Sequence, residues 1–216
     1  MKKEYLIPAT IILLVVIFSI AAFLYDQQKA DEINARTKQN ESYLVRDHSP
    51  TIGNKNAKVT IVEFFDPACE TCKAFHPFVK QLMAKNPGKI KLVMRYAPLH
   101  DGSDYVVALL EAARLQNKFW ETLEMTFKKQ PLWASHHNPQ PKKLWLLLAG
   151  VKLNFKKAEQ DMQSQQVLKN VQQDISDGQQ LRVSKTPSYF VNGKPLINFG
   201  YKQLQTLVET EIESNY

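Results

Sequence analysis

Residues 59–97 restrict the fold more than any other part of the chain. VTIVEFF (59–65) is a β-branched and aromatic run bounded by GNKNAK before and DP after, and it reads as a buried strand. From Cys69 onward, apolar residues recur at helical spacing through Cys72, Phe75, Phe78, Val79, Leu82 and Met83, until Asn86-Pro87-Gly88 ends the element. KIKLVMRYA (89–97) is a second strand. Strand, crossover helix and strand in this order make a right-handed parallel unit, so the chain is α/β. The unit also puts Cys69 and Cys72 at the carboxyl end of a strand and the amino end of a helix, where open α/β sheets place their ligands.

From Ser103 to about Gln180 the pattern is helical throughout, in SDYVVALLEAARLQ, NKFWETLEMTFKK, KKLWLLLAGV and NFKKAEQDMQSQQVLKNVQQDISDGQQL, with a proline-bounded loop from Pro131 to Pro141. This is an all-helical insertion or cap. PSYFVNG (187–193) and KPLINF (194–199) then read as a hairpin around Asn192-Gly193, followed by an amphipathic helix, YKQLQTLVETEIESN. Before the α/β unit, residues 26–50 are polar with scattered apolar positions and no heptad, which predicts a stalk.

LIPATIILLVVIFSIAAFLY (6–25) carries no charge between Glu4 and Asp26. Twenty helical residues rise about 30 Å, the thickness of a bilayer's hydrocarbon core, so the run can cross once. Lys2 and Lys3 then belong on the cytoplasmic side and everything after Asp26 outside. The competing reading is a signal peptide cleaved near Ser19-Ile20-Ala21. Both readings export the domain. Exported compartments are oxidising, yet the chain's 2 cysteines are Cys69 and Cys72 alone. A disulfide across so short a gap adds only about 2 kcal/mol of loop-closure stabilisation, against roughly 4 to 5 for a hundred-residue loop, so a structural staple is a poor explanation. A dithiol that is oxidised and reduced in turn, or half of a metal site, explains the pair better. The net charge of +7 is dispersed, which argues for a solvated surface and against nucleic-acid binding.

A thiolate attacks disulfides, and the first residue of a helix stabilises one through unpaired backbone N–H groups and the helix dipole. Cys69 holds that position, and Cys72 one turn on can resolve a mixed disulfide formed by Cys69. Glu63 sits in the middle of an apolar strand, six residues before Cys69. It is either a buried acid with a raised pKa, suited to exchanging a proton with Cys72, or a carboxylate salt-bridged to a basic side chain of the helical segment. Pro187 is either a passive edge residue or, after Thr186, a cis bond that lays the Thr186 backbone beside Cys69 for a substrate chain to pair with.

The run GNKNAKVTIVEFFDPACETCKAFHP, with SDYVVALLEAARLQNKFWE downstream and KTPSYFVNGKPL near the end, resembles the DsbA-like branch of the thioredoxin superfamily, including its membrane-anchored members, over residues 48–214. The resemblance implies an α/β thioredoxin fold with an all-helical insertion, preceded by a single N-terminal transmembrane helix. The divisions are 1–25 anchor or signal segment, 26–50 stalk, 51–102 first half of the fold, 103–180 insertion and 181–216 second half. It implies Cys69 as the attacking thiol, Cys72 as the resolving one, Glu63 as the buried acid and Thr186-Pro187 as a cis-proline loop beside the disulfide. Glu70 and Thr71 between the cysteines, with Thr186 and Pro187, are the expected substrate-facing positions. The implied activity is dithiol–disulfide exchange with cysteines of exported proteins, without a bound cofactor, on the periplasmic side of the inner membrane, with a membrane redox partner. Many relatives have proline first between the cysteines, whereas here Glu70 adds a negative charge about 7 Å from the thiolate, disfavouring it by about 1 to 2 kcal/mol and making the couple less oxidising. The resemblance implies disulfide formation, and the Glu70 charge points to reduction or isomerisation as the alternative direction.

Two other classes compete. A Cys2His2 zinc site would need His76 and the His136-His137 pair, but there is no second Cys-x-x-Cys and no HxxxH, so no metal is expected. A module that holds unfolded chains would use apolar residues of the cap such as Trp133 and Trp145.

Overall fold

The computed structural model describes residues 13–25, 27–28, 42–135 and 139–216, in two units divided after Asn40. In the first unit, residues 13–25 form helix α1, whose side chains are all exposed. Ser19, a polar residue in its apolar run, satisfies its hydroxyl internally by donating to the Val15 carbonyl at 2.8 Å. Among the described residues no helix is both long and apolar enough to cross a membrane. The predicted anchor at 1–25 extends outside the described residues, as does most of the predicted stalk.

The second unit is built on a five-stranded mixed sheet in the order β1-β3-β2-β4-β5. Its strands are β1 (Thr51–Gly53), β2 (Val59–Phe65), β3 (Ile90–Tyr96), β4 (Ser188–Val191) and β5 (Lys194–Pro195). β2 and β3 are parallel and joined by α2 (Glu70–Lys85), as the strand, helix, strand pattern predicts. Side chains alternate across β2. Val59, Ile61 and Phe65 enter the main core with α2, whose buried face is Cys72, Phe75, His76, Val79 and Leu82, while Val62 and Phe64 join Val93, Ala97, Phe190 and Leu44 in a smaller core. Glu63 falls by the same alternation on the main-core face.

The predicted insertion is helical from end to end among its described residues: α3 (Ser103–Leu115), α4 (Phe119–Lys128), α5 (Gln130–Trp133), a 3-10 turn at Pro141–Lys143, α6 (Leu144–Leu147), α7 (Phe155–Met162) and α8 (Gln165–Gln180). α9 (Tyr201–Asn215) closes the fold against β2 and β4. The cap tryptophans singled out above, Trp133 and Trp145, do not form an open binding face. Trp133 is buried and donates to the Thr126 carbonyl, and Trp145 is half-buried and donates to the Tyr105 hydroxyl. These two side chains therefore offer a chain-holding module no open surface.

Three expectations need correction. KPLINF is not a strand along its length, since pairing stops at Pro195, which has no N–H to give; Leu196 makes one last bond to the Tyr189 carbonyl, and the chain then leaves the sheet. The turn before it is as expected, with Asn192 and Gly193 both at positive φ, 47° and 83°. β1 escapes sequence reading because it is three exposed residues; Gly53, at φ 105°, runs so close to β3 that a Cβ would meet the Ile90 carbonyl at 2.5 Å. Finally, residues 42–50 are not stalk. Leu44 is buried, Arg46 grips Asp177 with two hydrogen bonds of 2.8 and 2.7 Å, and His48 lies 2.7 Å from Asp174. Both aspartates also take the fully buried Arg95 of β3, so a paired charge cluster fastens this segment to the sheet's second face.

Candidate active site

Cys69 caps α2. Its backbone is extended, and its Sγ accepts the Cys72 N–H at 3.4 Å, where a serine or aspartate oxygen more commonly sits. Both cysteines are free thiols in this structure. On the other side Cys69 Sγ donates to the Thr186 carbonyl at 3.3 Å, and the Thr186–Pro187 peptide is cis. β4 follows directly, which brings the proline loop and α2's first turn together across more than a hundred residues of chain.

The Cys69 thiol is lowered to about 5. Its hydrogen bond with Cys72 contributes most; burial opposes it; the Thr186 side chain and the backbone amides of Cys72 and Thr71 add to the lowering. Cys72, fully buried, is pushed well above the usual thiol range by burial first, then by its bond to Cys69 and by the charge of Glu63. At neutral pH the pair is therefore one thiolate and one thiol, with the nucleophile on the outer cysteine. Glu70 and Thr71 are exposed on the first turn, and Glu70 is not among the leading influences on Cys69. Glu70 instead lines a cleft of about 700 Å³ running past Lys73 and Pro77 to Gln130 and Ala134.

Glu63 is fully buried, and among the described residues no basic side chain pairs with it. Its carboxyl is raised to about 8, by burial first, with Tyr189 acting to lower it and the negative charge of Cys69 to raise it. It lies within electrostatic reach of Cys72. That leaves the buried-acid reading of the two.

Two positioning residues were not legible in the sequence. Asp66, wholly buried, collects five donors: the backbone N–H groups of Ala68, Leu99 and His100, His100 Nδ1 at 2.9 Å and the Ser103 hydroxyl at 2.6 Å. It ties the loop carrying Cys69 to the loop after β3 and to the start of α3. An Asp-Pro after a strand signals a turn, but not these distant partners. Gln130 of α5 donates from Nε2 to the Pro67 and Cys69 carbonyls at 2.9 and 3.0 Å, so the insertion holds the active-site loop directly. Nothing in its polar surroundings marks it. His76, weighed as a metal ligand, lies with Nε2 3.0 Å from Glu124, which it shares with Lys80. His136 and His137 lie outside the described residues, and among the described residues no three His, Cys, Asp or Glu side chains are grouped to hold a metal.

A family profile described as thioredoxin matches residues 46–210. The chain belongs to the thioredoxin family. Among curated relatives, disulfide bond formation protein D of Bacillus subtilis (strain 168) is 24% identical over 171 residues, covering 76% of this chain and 77% of that protein. Other relatives are named Na+/H+ antiporters NhaA, and of one from Salinispora tropica the chain spans only 22% of the length. Among solved structures, a thioredoxin-like oxidoreductase from Silicibacter pomeroyi DSS-3 superposes with a TM-score of 0.69 at 26% identity, covering 80% of this chain and 98% of that one. Oxidised BdbD from Bacillus subtilis does so with a TM-score of 0.68 at 25% identity, covering 77% and 94%. With its dithiol at the strand–helix junction, this thioredoxin-family chain is a DsbA-like thiol–disulfide oxidoreductase.

Proposed function

We propose that this thioredoxin-family protein introduces disulfides into exported proteins from a membrane tether, with Cys69 as the exchanging sulfur. A substrate thiolate attacks Sγ of Cys69 in the Cys69–Cys72 disulfide. The S–S bond breaks, and Cys72 leaves with the electron pair and takes a proton from Glu63. The substrate's second thiolate then attacks the substrate sulfur of the mixed disulfide, and Cys69 leaves as a thiolate. Thr186 offers its half-buried backbone beside Cys69 for the substrate chain, and Glu70 and Thr71 flank the attack. A membrane partner that accepts two electrons from the dithiol regenerates the disulfide.

The observation that carries the direction is the Cys69 thiolate. A stabilised thiolate stabilises the reduced form and makes the couple more oxidising. A Cys69 value of about 5 falls between thioredoxin's roughly 7 and DsbA's roughly 3.5. Equilibration of the purified chain with glutathione buffers should therefore give a reduction potential between about −270 and −120 mV. A value at or below the lower bound favours the second reading, a reductase or isomerase, for which the carboxylate of Glu70 next to Cys69 speaks.

The tether rests on the uncharged run at 6–25, on Lys2 and Lys3 before it, and on α1, whose side chains are exposed and, apart from Ser19, apolar or aromatic. The full chain should stay in the membrane pellet after alkaline carbonate extraction, and protease added to spheroplasts should remove its C-terminal domain. Release into the soluble fraction at a size shortened near Ala21 would instead identify a cleaved signal peptide.

A further inference from the structure

Glu63 and Tyr189 are direct partners in the antiparallel β2·β4 register, so both side chains rise from the same face of the sheet beneath the cysteines. Both are almost wholly buried. Neither carboxyl oxygen nor the Tyr189 hydroxyl has a hydrogen-bond partner of regular geometry. Yet each acts on the other's ionisation, the hydroxyl lowering the carboxyl and the carboxylate raising the phenol. Two orphaned polar groups, paired in register and sealed from water, are costly to the fold, and a use in the reaction accounts for their being kept.

The surroundings leave few other candidates. Among the described residues, the titratable groups that act on the pair are Cys69 and Cys72, from the start of α2. β3 places Met94 beside Glu63, and α2 lays the Phe75 ring against Tyr189 with centroids 5.9 Å apart. α9 brings Glu211 against this sheet, but that carboxylate is taken by Asn192 and Lys194.

We propose that Tyr189 is a positioning residue for the exchange: its hydroxyl closes a hydrogen bond onto the Glu63 carboxylate when Glu63 gives its proton to Cys72, and lets go when the proton returns. In the oxidising half-reaction, Cys72 leaves Cys69 as a thiolate, the Glu63 O–H proton passes to it, and the Tyr189 O–H turns to the carboxylate left behind. During reoxidation the carboxylate takes the Cys72 proton back, and Cys72 attacks Cys69 in the mixed disulfide with the partner. Tyr189 gains and loses no proton. It keeps the ionised form of Glu63 within reach in a site that burial would otherwise hold neutral.

This rests on the exchange reading above, and the test separates the two. Carbon-13 NMR of the Glu63 carboxyl in the reduced full chain should titrate near pH 8 in the wild type and at least about one unit higher in Tyr189→Phe, the loss expected for a hydrogen bond to a charged group. The pH profile of Cys72-dependent mixed-disulfide release should move by the same amount, and Tyr189→Phe should have no effect on it in a Glu63→Gln background. Incorporation of 3-fluorotyrosine at position 189, a stronger donor of nearly the same shape, should move the carboxyl titration the other way. An unmoved Glu63 midpoint in Tyr189→Phe, or a slowing that persists with Glu63→Gln, overturns the proposal and leaves Tyr189 a packing residue. Absence of exchange by the wild type would overturn the exchange reading instead, and the carboxyl titration would still decide the hydrogen bond.

Discussion

Cys69→Ser is expected to reduce dithiol–disulfide exchange to the background of the buffer, whereas Cys72→Ser should still attack disulfides and then accumulate as a mixed disulfide. The asymmetry follows from the two environments. Cys69 has first the Cys72 side chain, then, against the cost of burial, the Thr186 side chain and the Cys72 and Thr71 backbone amides to hold its negative charge; Cys72 is wholly buried and kept protonated. With Cys69 at about 5, thiolate exceeds thiol about a hundredfold at pH 7. Alkylation of the reduced protein by iodoacetamide, followed by mass spectrometry, should therefore modify Cys69 with a midpoint near pH 5 and spare Cys72 throughout the neutral range. A midpoint near that of a free thiol, or trapping by Cys69→Ser in place of Cys72→Ser, would reverse the assignment. The same thiolate bears on stability. A thiol held below its unfolded value contributes to the folded, reduced form above the unfolded pKa, and the contribution is lost as pH falls through the folded value. The reduced protein should therefore lose ground to the oxidised one as pH drops from 9 toward 5.

Glu63→Gln should make the reduced protein more stable at pH 7 by about 3 kcal/mol while slowing the Cys72-dependent step roughly a hundredfold. The sign comes from the direction of the shift. Glu63 is raised from 4.5 to about 8, so below pH 4.5 it is neutral in both states and folding costs nothing extra. Between those values the unfolded chain ionises and the folded one resists, and stability falls by about 1.4 kcal/mol per pH unit until the folded group also ionises. Glutamine has the same shape and the same need for a partner, so it isolates the charge. Urea unfolding of both proteins should give curves that coincide near pH 4.5 and separate steadily to about pH 8. A difference that is constant with pH would mean that packing, and not ionisation, separates them. A gain in stability coupled to a loss of rate is the expected signature of a functional group kept at the expense of the fold.

Several parts of this architecture were legible because the signal is local. The near-continuous apolar run of β2 and the helical stripe after Cys69 identify strand and helix from side-chain periodicity, which the backbone imposes within a few residues. The placement of Cys69 as a helix cap follows from the same reading, as does the Asn192-Gly193 turn. What stayed hidden is what depends on distant partners. β1 is recognised only by its bonds to β3, and residues 42–50 look like stalk until Arg95, Asp174 and Asp177 meet Arg46 and His48. Asp66 and Gln130 are ordinary turn and helix residues until the loops they hold come together.

Glu63 shows where the division lies. The amino-acid sequence by itself determined that an acid stands in a buried strand a few residues before two cysteines, because alternation and spacing are properties of a short length of chain. Only the tertiary structure decided that this acid has no salt bridge among the described residues, that Tyr189 pairs with it in register on the neighbouring strand, and that Thr186 lies against Cys69. A side chain's ionisation depends on how far water is excluded and which dipoles replace it, and those are supplied by strands and loops that lie far apart in the chain and meet only when it folds.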